Sequence, residues 1–166
     1  MGCDLNEFKR YYKELARDKK WQGTFGFTEE LDTGWERVLV ETPFLLLVLR
    51  ENDKIIGHAI WHETGIDEHR KGDPRDRDDR EILKKLCGGK KDSIVELHEL
   101  WLRKKHRGKG YGKRFFEFFK DFIKKKKYDC IVYYADHPAA IATCRKRGWR
   151  EGFLAEKNWH VFCRSF

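Results

Sequence analysis

The sequence predicts an α/β fold in a single domain, and three observations carry that prediction. Segments suited to strands alternate along the chain with segments of helical periodicity. A length of 166 residues is that of one domain. With 40% apolar and 14% aromatic residues there is material for a core, even though 39% of the chain is charged. The domain is expected to span residues 1–166, with a charged excursion at 64–91.

Taken in order, Leu5, Phe8, Tyr11 or Tyr12 and Leu15 recur at helical spacing over residues 4–18, with Asp4 as N-cap and Glu7 three residues on. Residues 21–34 read as loop, and a short helix around Asp32 to Glu41 ends at Thr42-Pro43. The apolar runs Phe44 to Arg50 and Ile55 to His62 flank Glu51-Asn52-Asp53-Lys54, which makes a hairpin. Eight of the nine residues from Asp73 to Glu81 are charged, so 64–91 reads as an exposed excursion with a short helix at 79–87 before Gly88-Gly89. Ser93 to Leu102 is a strand that runs into a glycine-rich loop. From Tyr111 a helix follows, with Phe115, Phe118, Phe119, Phe122 and Ile123 as its core stripe and Lys124 to Lys127 at its end. Ile131 to Ala135 is a buried strand, and a helix from His137 or Pro138 to Arg147 is closed by Gly148. Residues 149–154 and 158–165 form a last pair of strands.

The composition narrows the classes. No run of about 18 apolar residues occurs and the N-terminal segment is charged, so neither a membrane span nor a secretory signal is expected. Met1-Gly2-Cys3 begins like a myristoylation signal, but position 6 holds Asn6 where Ser or Thr is required. Cys3, Cys87, Cys130, Cys144 and Cys163 are widely spaced with no C-x-x-C pair, which signals neither a disulfide framework nor a zinc site and fits a reducing cytoplasm. The net charge of +8 is concentrated: between Arg103 and Lys127 twelve Lys or Arg face only Glu117 and Asp121, or +10. Such a patch suits a nucleic acid or a phosphorylated cofactor, with a solvated basic helix face as the plainer account.

Arg107-Gly108-Lys109-Gly110-Tyr111-Gly112 lies between a strand and a long amphipathic helix. Helix-start amides carry unpaired N–H groups and partial positive charge, and glycines let them close around phosphate oxygens. A dinucleotide fingerprint fails, since its third glycine position holds Lys113 or Phe115, and a Walker loop fails because Gly112-Lys113 is followed by Arg114.

The stretch Leu100 to Gly112 resembles the cofactor motif of the GNAT superfamily of acetyltransferases, in which [RQ]-x-x-G-x-[GA] opens a helix after a strand; Arg107, Gly110 and Gly112 fill it. His137 to Trp149 is similar to the family's second motif, N-x-x-A-x-x-x-Y-x-[KR]-x-G-[FW]. The resemblance implies a mixed, mostly antiparallel sheet splayed at its centre and flanked by helices. It also implies an acetyl-CoA-dependent N-acetyltransferase acting directly on a primary amine of a small molecule or protein, without metal. Leu100, Trp101, Leu102, Arg107, Gly108, Lys109, Gly110, Tyr111, Gly112, Lys113 and His137 are then the cofactor-binding positions.

An amine with a pKa near about 10.4 needs a base before it can attack. Glu96 and His98 share a strand face with Leu100 and Leu102, and the family's base positions fall on those two residues. Glu96 is favoured as base, His98 as relay, and Glu99 is a third candidate. The position of the family's acid, a tyrosine, is Cys144; either Cys144 serves, or Tyr133 or Tyr134 substitutes, or CoA leaves unassisted, and a packed helix cysteine is the competing account. A nucleic-acid-binding module and a CoA-binding, non-catalytic relic of the family are the alternative functions. The module is disfavoured because the helix aromatics are placed on a core stripe. The expected partners are an amine acceptor and a second copy of the chain, not a membrane.

Overall fold

The computed structural model describes residues 5–16, 45–88 and 93–166. The Met1-Gly2-Cys3 start, the Asp4 cap, the loop at 21–34 and the helix around 32–41 lie outside them. Contacts divide the described chain into two compact units, one running to Trp61 and taking in His98–Phe119, the other comprising His62–Leu97 and Lys120–Phe166.

In the first unit, helix α1 (Leu5–Ala16) turns Phe8, Tyr11, Tyr12 and Leu15 inward, the stripe its sequence prescribes. They form one apolar cluster with Ile55 and Ile60, joined by Leu46, Val48 and Trp101. Strands β1 (Leu45–Glu51) and β2 (Lys54–Thr64) pair antiparallel from Leu45↔Trp61 to Glu51↔Lys54. The turn between them puts Asn52 and Asp53 at φ 49° and 60°, the left-handed pair that suits a two-residue hairpin and that Asn and Asp tolerate best. The latter part of strand β5 (Ile94–Leu102) runs beside β2 so closely that a Cβ on Gly57 would lie 2.7 Å from the Trp101 carbonyl oxygen.

The second unit orders its main strands β5, β6 (Cys130–Ala135), β8 (Trp159–Ser165) and β7 (Arg150–Leu154). β5 and β6 are parallel from Ile94↔Cys130 to Leu97↔Tyr133, whereas β6 with β8 and β7 with β8 are antiparallel. A small ribbon of β3 (Glu68–Arg70) and β4 (Asp73–Pro74) leads into helix α2 (Arg77–Cys87), whose Leu83, Leu86 and Cys87 join Ile94, Val132 and Val161 in the core. Asp76 caps α2 by accepting from the Asp79 amide, and Gly88 ends it at φ 72°. Helix α4 (Pro138–Lys146) follows β6. The fold is therefore the expected mixed, mostly antiparallel sheet flanked by helices, and no helix of the described residues is long and apolar enough to cross a membrane.

Two expectations need correction. The charged stretch at 64–91 is exposed only in part: among its described residues Asp76, Arg77, Asp78 and Glu81 face solvent, whereas Arg75 and Asp79 are buried as an ion pair and Leu83, Leu86 and Cys87 at helical spacing face the sheet. In helix α3 (Tyr111–Lys125), Phe118 does not belong to the core stripe; it is 57% exposed, and Phe116 is buried in its place beside Phe115, Phe119 and Ile123. At about 100° per residue the stripe is centred on Phe119, and Phe118 falls outside the arc that Phe116 enters.

Candidate active site

In the first unit, β5 ends at Leu102, a 3₁₀ turn covers Lys104–His106, and the chain enters α3 through Gly108 and Gly110 at φ 77° and 80°. Among the described residues, no atom beyond the chain neighbours lies within 4 Å of where a Cβ would stand on either glycine, so the loop leaves open space above its backbone. The first helical bond recorded at its end is Arg114 N–H to Gly110 C=O, 3.1 Å, and by helix geometry the amides of Tyr111, Gly112 and Lys113 precede it. Arg107, Lys109, Lys113 and Arg114 are exposed around these amides. Open backbone donors at a helix start, ringed by cations, fit a pyrophosphate.

The Arg107 side chain folds back, with Nε donating to the Leu102 carbonyl at 2.9 Å and the guanidinium 4.3 Å over the Trp101 ring. It fastens the loop to the end of β5. Tyr111 donates its hydroxyl to Glu51 Oε1 at 2.7 Å, and the phenol is raised above its ordinary pKa by that hydrogen bond.

The same unit buries a polar chain around Glu99, the third candidate base, with partners that no spacing in the sequence marks. His58 lies between Glu99 Oε2, 2.7 Å from its Nε2, and the Tyr11 hydroxyl, 3.0 Å from its Nδ1, while Tyr12 donates to Glu99 Oε1 at 2.9 Å. Burial first of all raises the Tyr11 phenol, which is held neutral. Glu99 is thus satisfied on both oxygens by structural partners, which gives it a role in holding α1 to the strands.

In the second unit, Glu96 is found in a cage built around Arg75, which is only 2% exposed. Arg75 Nη2 donates to Glu96 Oε2 at 3.0 Å and Thr64 Oγ1 at 2.7 Å; Nη1 donates to Asp79 Oδ2 at 2.9 Å and the Tyr134 oxygen at 2.6 Å; Nε donates to the Gly65 carbonyl at 3.0 Å. Tyr134 in turn donates to Asp79 Oδ1 at 2.7 Å. Burial opposes charge on Arg75, but Tyr134, Glu96 and Asp79 together outweigh it and push its pKa upward. His69, with 28% of its side chain exposed, places Nδ1 3.5 Å from Glu96 Oε2 and links the cage toward solvent. His62 Nε2–H donates to the His69 carbonyl, 2.9 Å away, and burial lowers its pKa so that the neutral ring is favoured. The ion pair with Arg75 fixes the direction of the Glu96 carboxylate.

Cys144 is buried in α4 and desolvation pushes its thiol up to about 12, so it parts with a proton reluctantly. Tyr134 is driven up as well, chiefly by burial, against the opposing pull of Arg75. His137 is the N-cap of α4, its Nδ1 accepting from the Ala139 amide at 3.2 Å. His98, by contrast, is half-buried in β5. Arg75, Asp79 and His69 escaped the sequence reading because their segment read as a solvated run of charge.

A sheet of this topology, with a strand leading into an open, cation-ringed loop at a helix start, defines the class of transferases that carry acyl groups on CoA. The acetyltransferase (GNAT) family model matches residues 8–149, and the chain belongs to that family. Acetyl-CoA is the family's cofactor and N-acetyl transfer its reaction. Among solved structures, PaiA N-acetyltransferase from Thermoplasma acidophilum, in complex with coenzyme A, is similar at TM-score 0.62 and 13% identity, covering 100% of this chain and 97% of that one. The ribosomal-protein-S18-alanine N-acetyltransferase from Escherichia coli is similar at TM-score 0.58 and 13% identity, covering 98% and 88%. A GNAT family acetyltransferase from Brucella melitensis, in complex with acetyl-CoA, gives 0.55 and 14%, covering 97% and 80%. No curated protein matches the sequence significantly.

Proposed function

We propose that this acetyltransferase moves an acetyl group directly to a primary amine of a small molecule or protein, with Glu96 as the proton acceptor and His98 as relay. The observation that carries the reading is the open glycine loop at the start of α3, with its left-handed Gly108 and Gly110 and exposed cations. The backbone from Arg107 to Lys113, continued by Leu100, Trp101 and Leu102, is the stretch assigned to cofactor binding. Acetyl-CoA supplies the activated acyl group when bound.

Glu96 is the group assigned to take the amine's proton, with Arg75 fixing the direction of its carboxylate. The partly exposed His69 beside it accepts from Arg75 Nη1 through Nδ1 at 2.7 Å and helps to hold that geometry. Cys144 is assigned to packing rather than to acid catalysis, since its thiol is raised by burial. The domain is taken as a single N-acetyltransferase domain over 1–166, supported by a family match to residues 8–149. A reducing, cytoplasmic setting is supported by free, buried thiols at Cys87, Cys130, Cys144 and Cys163. A nucleic-acid module finds no support in the family.

Calorimetry with CoA and acetyl-CoA tests the reading: binding at millimolar affinity or tighter is expected, and its complete absence sinks it. CoA release is then assayed over a panel of amines, from polyamines to peptides and aminoglycosides. Glu96→Gln should reduce turnover by about 10²–10⁴-fold while leaving CoA binding intact. Turnover at the wild-type rate in that variant would remove Glu96 from the chemistry, and binding without turnover on any amine would favour the relic.

A further inference from the structure

The second unit brings together three cysteines that lie far apart in the sequence. Cys87 is the last residue of α2, Cys130 the first of β6, and Cys163 sits in the middle of β8. All three are fully buried, and their sulfurs converge on one point within 4.8 Å of one another. Cys130 Sγ is 3.4 Å from Cys87 Sγ, and Cys87 Sγ is 3.7 Å from Cys163 Sγ.

Those separations match the edge of a coordination polyhedron. With metal–sulfur bonds of about 2.3 Å at tetrahedral angles, thiolates bound to one zinc ion stand about 3.8 Å apart. Thiols that serve only as small apolar side chains have no reason to aim three sulfurs at a common centre. The surroundings also supply the charge balance. Zn²⁺ with three thiolates carries one net negative charge, and the Arg150 guanidinium lies 3.9 Å from Cys163 Sγ while donating to Ser165 Oγ. Arg150 is exposed and Ser165 half-buried, so Cys163 adjoins solvent-accessible groups by which an ion can enter.

We propose that Cys87, Cys130 and Cys163 form a three-thiolate site for a thiophilic divalent ion of the zinc type. Binding forms three metal–sulfur bonds and releases three protons to water, with no change of oxidation state. Ser165 Oγ, 3.9 Å from Cys163 Sγ, or a water provides the fourth ligand. The ion ties the end of α2 to β6 and β8, and so acts on stability rather than on acyl transfer.

The test uses the full chain, reduced and freed of metal by chelation, and titrated with Cd²⁺ under ultraviolet detection and with Zn²⁺ against a chromophoric chelator. One equivalent of each is expected to bind, with a thiolate-to-cadmium charge-transfer band, release of three protons and a rise in melting temperature. Cys163→Ser and Cys130→Ser should each weaken binding by roughly 100-fold or more, whereas Cys144→Ser, also buried but outside the trio, should not change it. Should Cys130→Ser fail to fold, Cys163→Ser and the wild-type titration still decide. A wild-type chain that shows no charge-transfer band at one equivalent overturns the site, as does a band that survives both substitutions. Neither result bears on CoA binding, which calorimetry reads separately.

Discussion

The glycine loop of the first unit and the Arg75 cage of the second solve opposite electrostatic problems. The loop gathers exposed cations around backbone amides and depends on the shape of the main chain at Gly108 and Gly110. The cage withdraws a guanidinium and two carboxylates from water and depends on every side-chain partner being present. Backbone sites tolerate the loss of single side chains and suffer from changes in φ. Buried charge clusters tolerate neither, because removing one member leaves the others unpaired in a low-dielectric interior.

The sharpest break of that comparison is Arg75→Ala. It strands Glu96 and Asp79 as buried anions, and unpairing a buried ion pair typically costs about 3–5 kcal/mol, a large share of a domain's stability. Denaturant unfolding should show a midpoint shift of that order. If stranded charge is the cause, Arg75→Met in the background of Glu96→Gln and Asp79→Asn should recover most of the loss. A cost that is the same in both backgrounds would assign Arg75 to packing instead.

A smaller effect is expected at the loop, and it separates two glycines that stand two residues apart. Gly110→Ala places a side chain at φ 80°, a conformation that costs an L-residue about 1–2 kcal/mol even though the space around it is open. Gly112 has no positive φ, and a Cβ there would make ordinary contact with Leu102 Cδ2 at 3.9 Å, so Gly112→Ala should be close to neutral in stability. Melting curves compare the two, and CoA titration should show weaker binding for Gly110→Ala. Equal behaviour of the two variants would detach the loop's function from its left-handed turns.

Most of what the sequence disclosed was written locally. The Phe8, Tyr11, Tyr12 and Leu15 stripe, the Asn52-Asp53 turn and the loop from Arg107 to Gly112 each depend on neighbours within a few positions, and periodicity or turn chemistry exposes them. The Arg75 cage joins residues from Thr64 to Tyr134, and the His58 chain joins Tyr11 and Tyr12 to Glu99. No spacing rule marks such pairs, and the charge density around Arg75 argues for solvent exposure until its partners are seen. Phe118 shows the limit even of periodicity: a residue at the margin of a helical arc is assigned by packing, not by the count of three and four. Glu96 was visible as a strand carboxylate, but its partner Arg75 was not, and the partner fixes its direction.

The smallest effect is expected where charges pair at the surface, as a foil to the cage. Arg145 donates to Glu151 through Nε at 2.8 Å and Nη2 at 2.6 Å, and His160 Nδ1 is 2.7 Å from the same carboxylate. The Arg145 hydrogen bonds, followed by His160, hold the Glu151 carboxyl down at about 2. A folded-state pKa below the unfolded one stabilises the fold above the unfolded value, and that contribution is lost as pH falls from the ordinary carboxyl range toward 2. Glu151→Gln should therefore flatten the acid limb of the stability curve by lowering neutral stability slightly and leaving stability near pH 2 unchanged, the loss being small because water and salt screen an exposed pair. Chemical denaturation of both chains across that window, repeated at high salt, checks it. A loss at neutral pH as large as that of Arg75→Ala would mean that exposure is not what separates the two charge clusters.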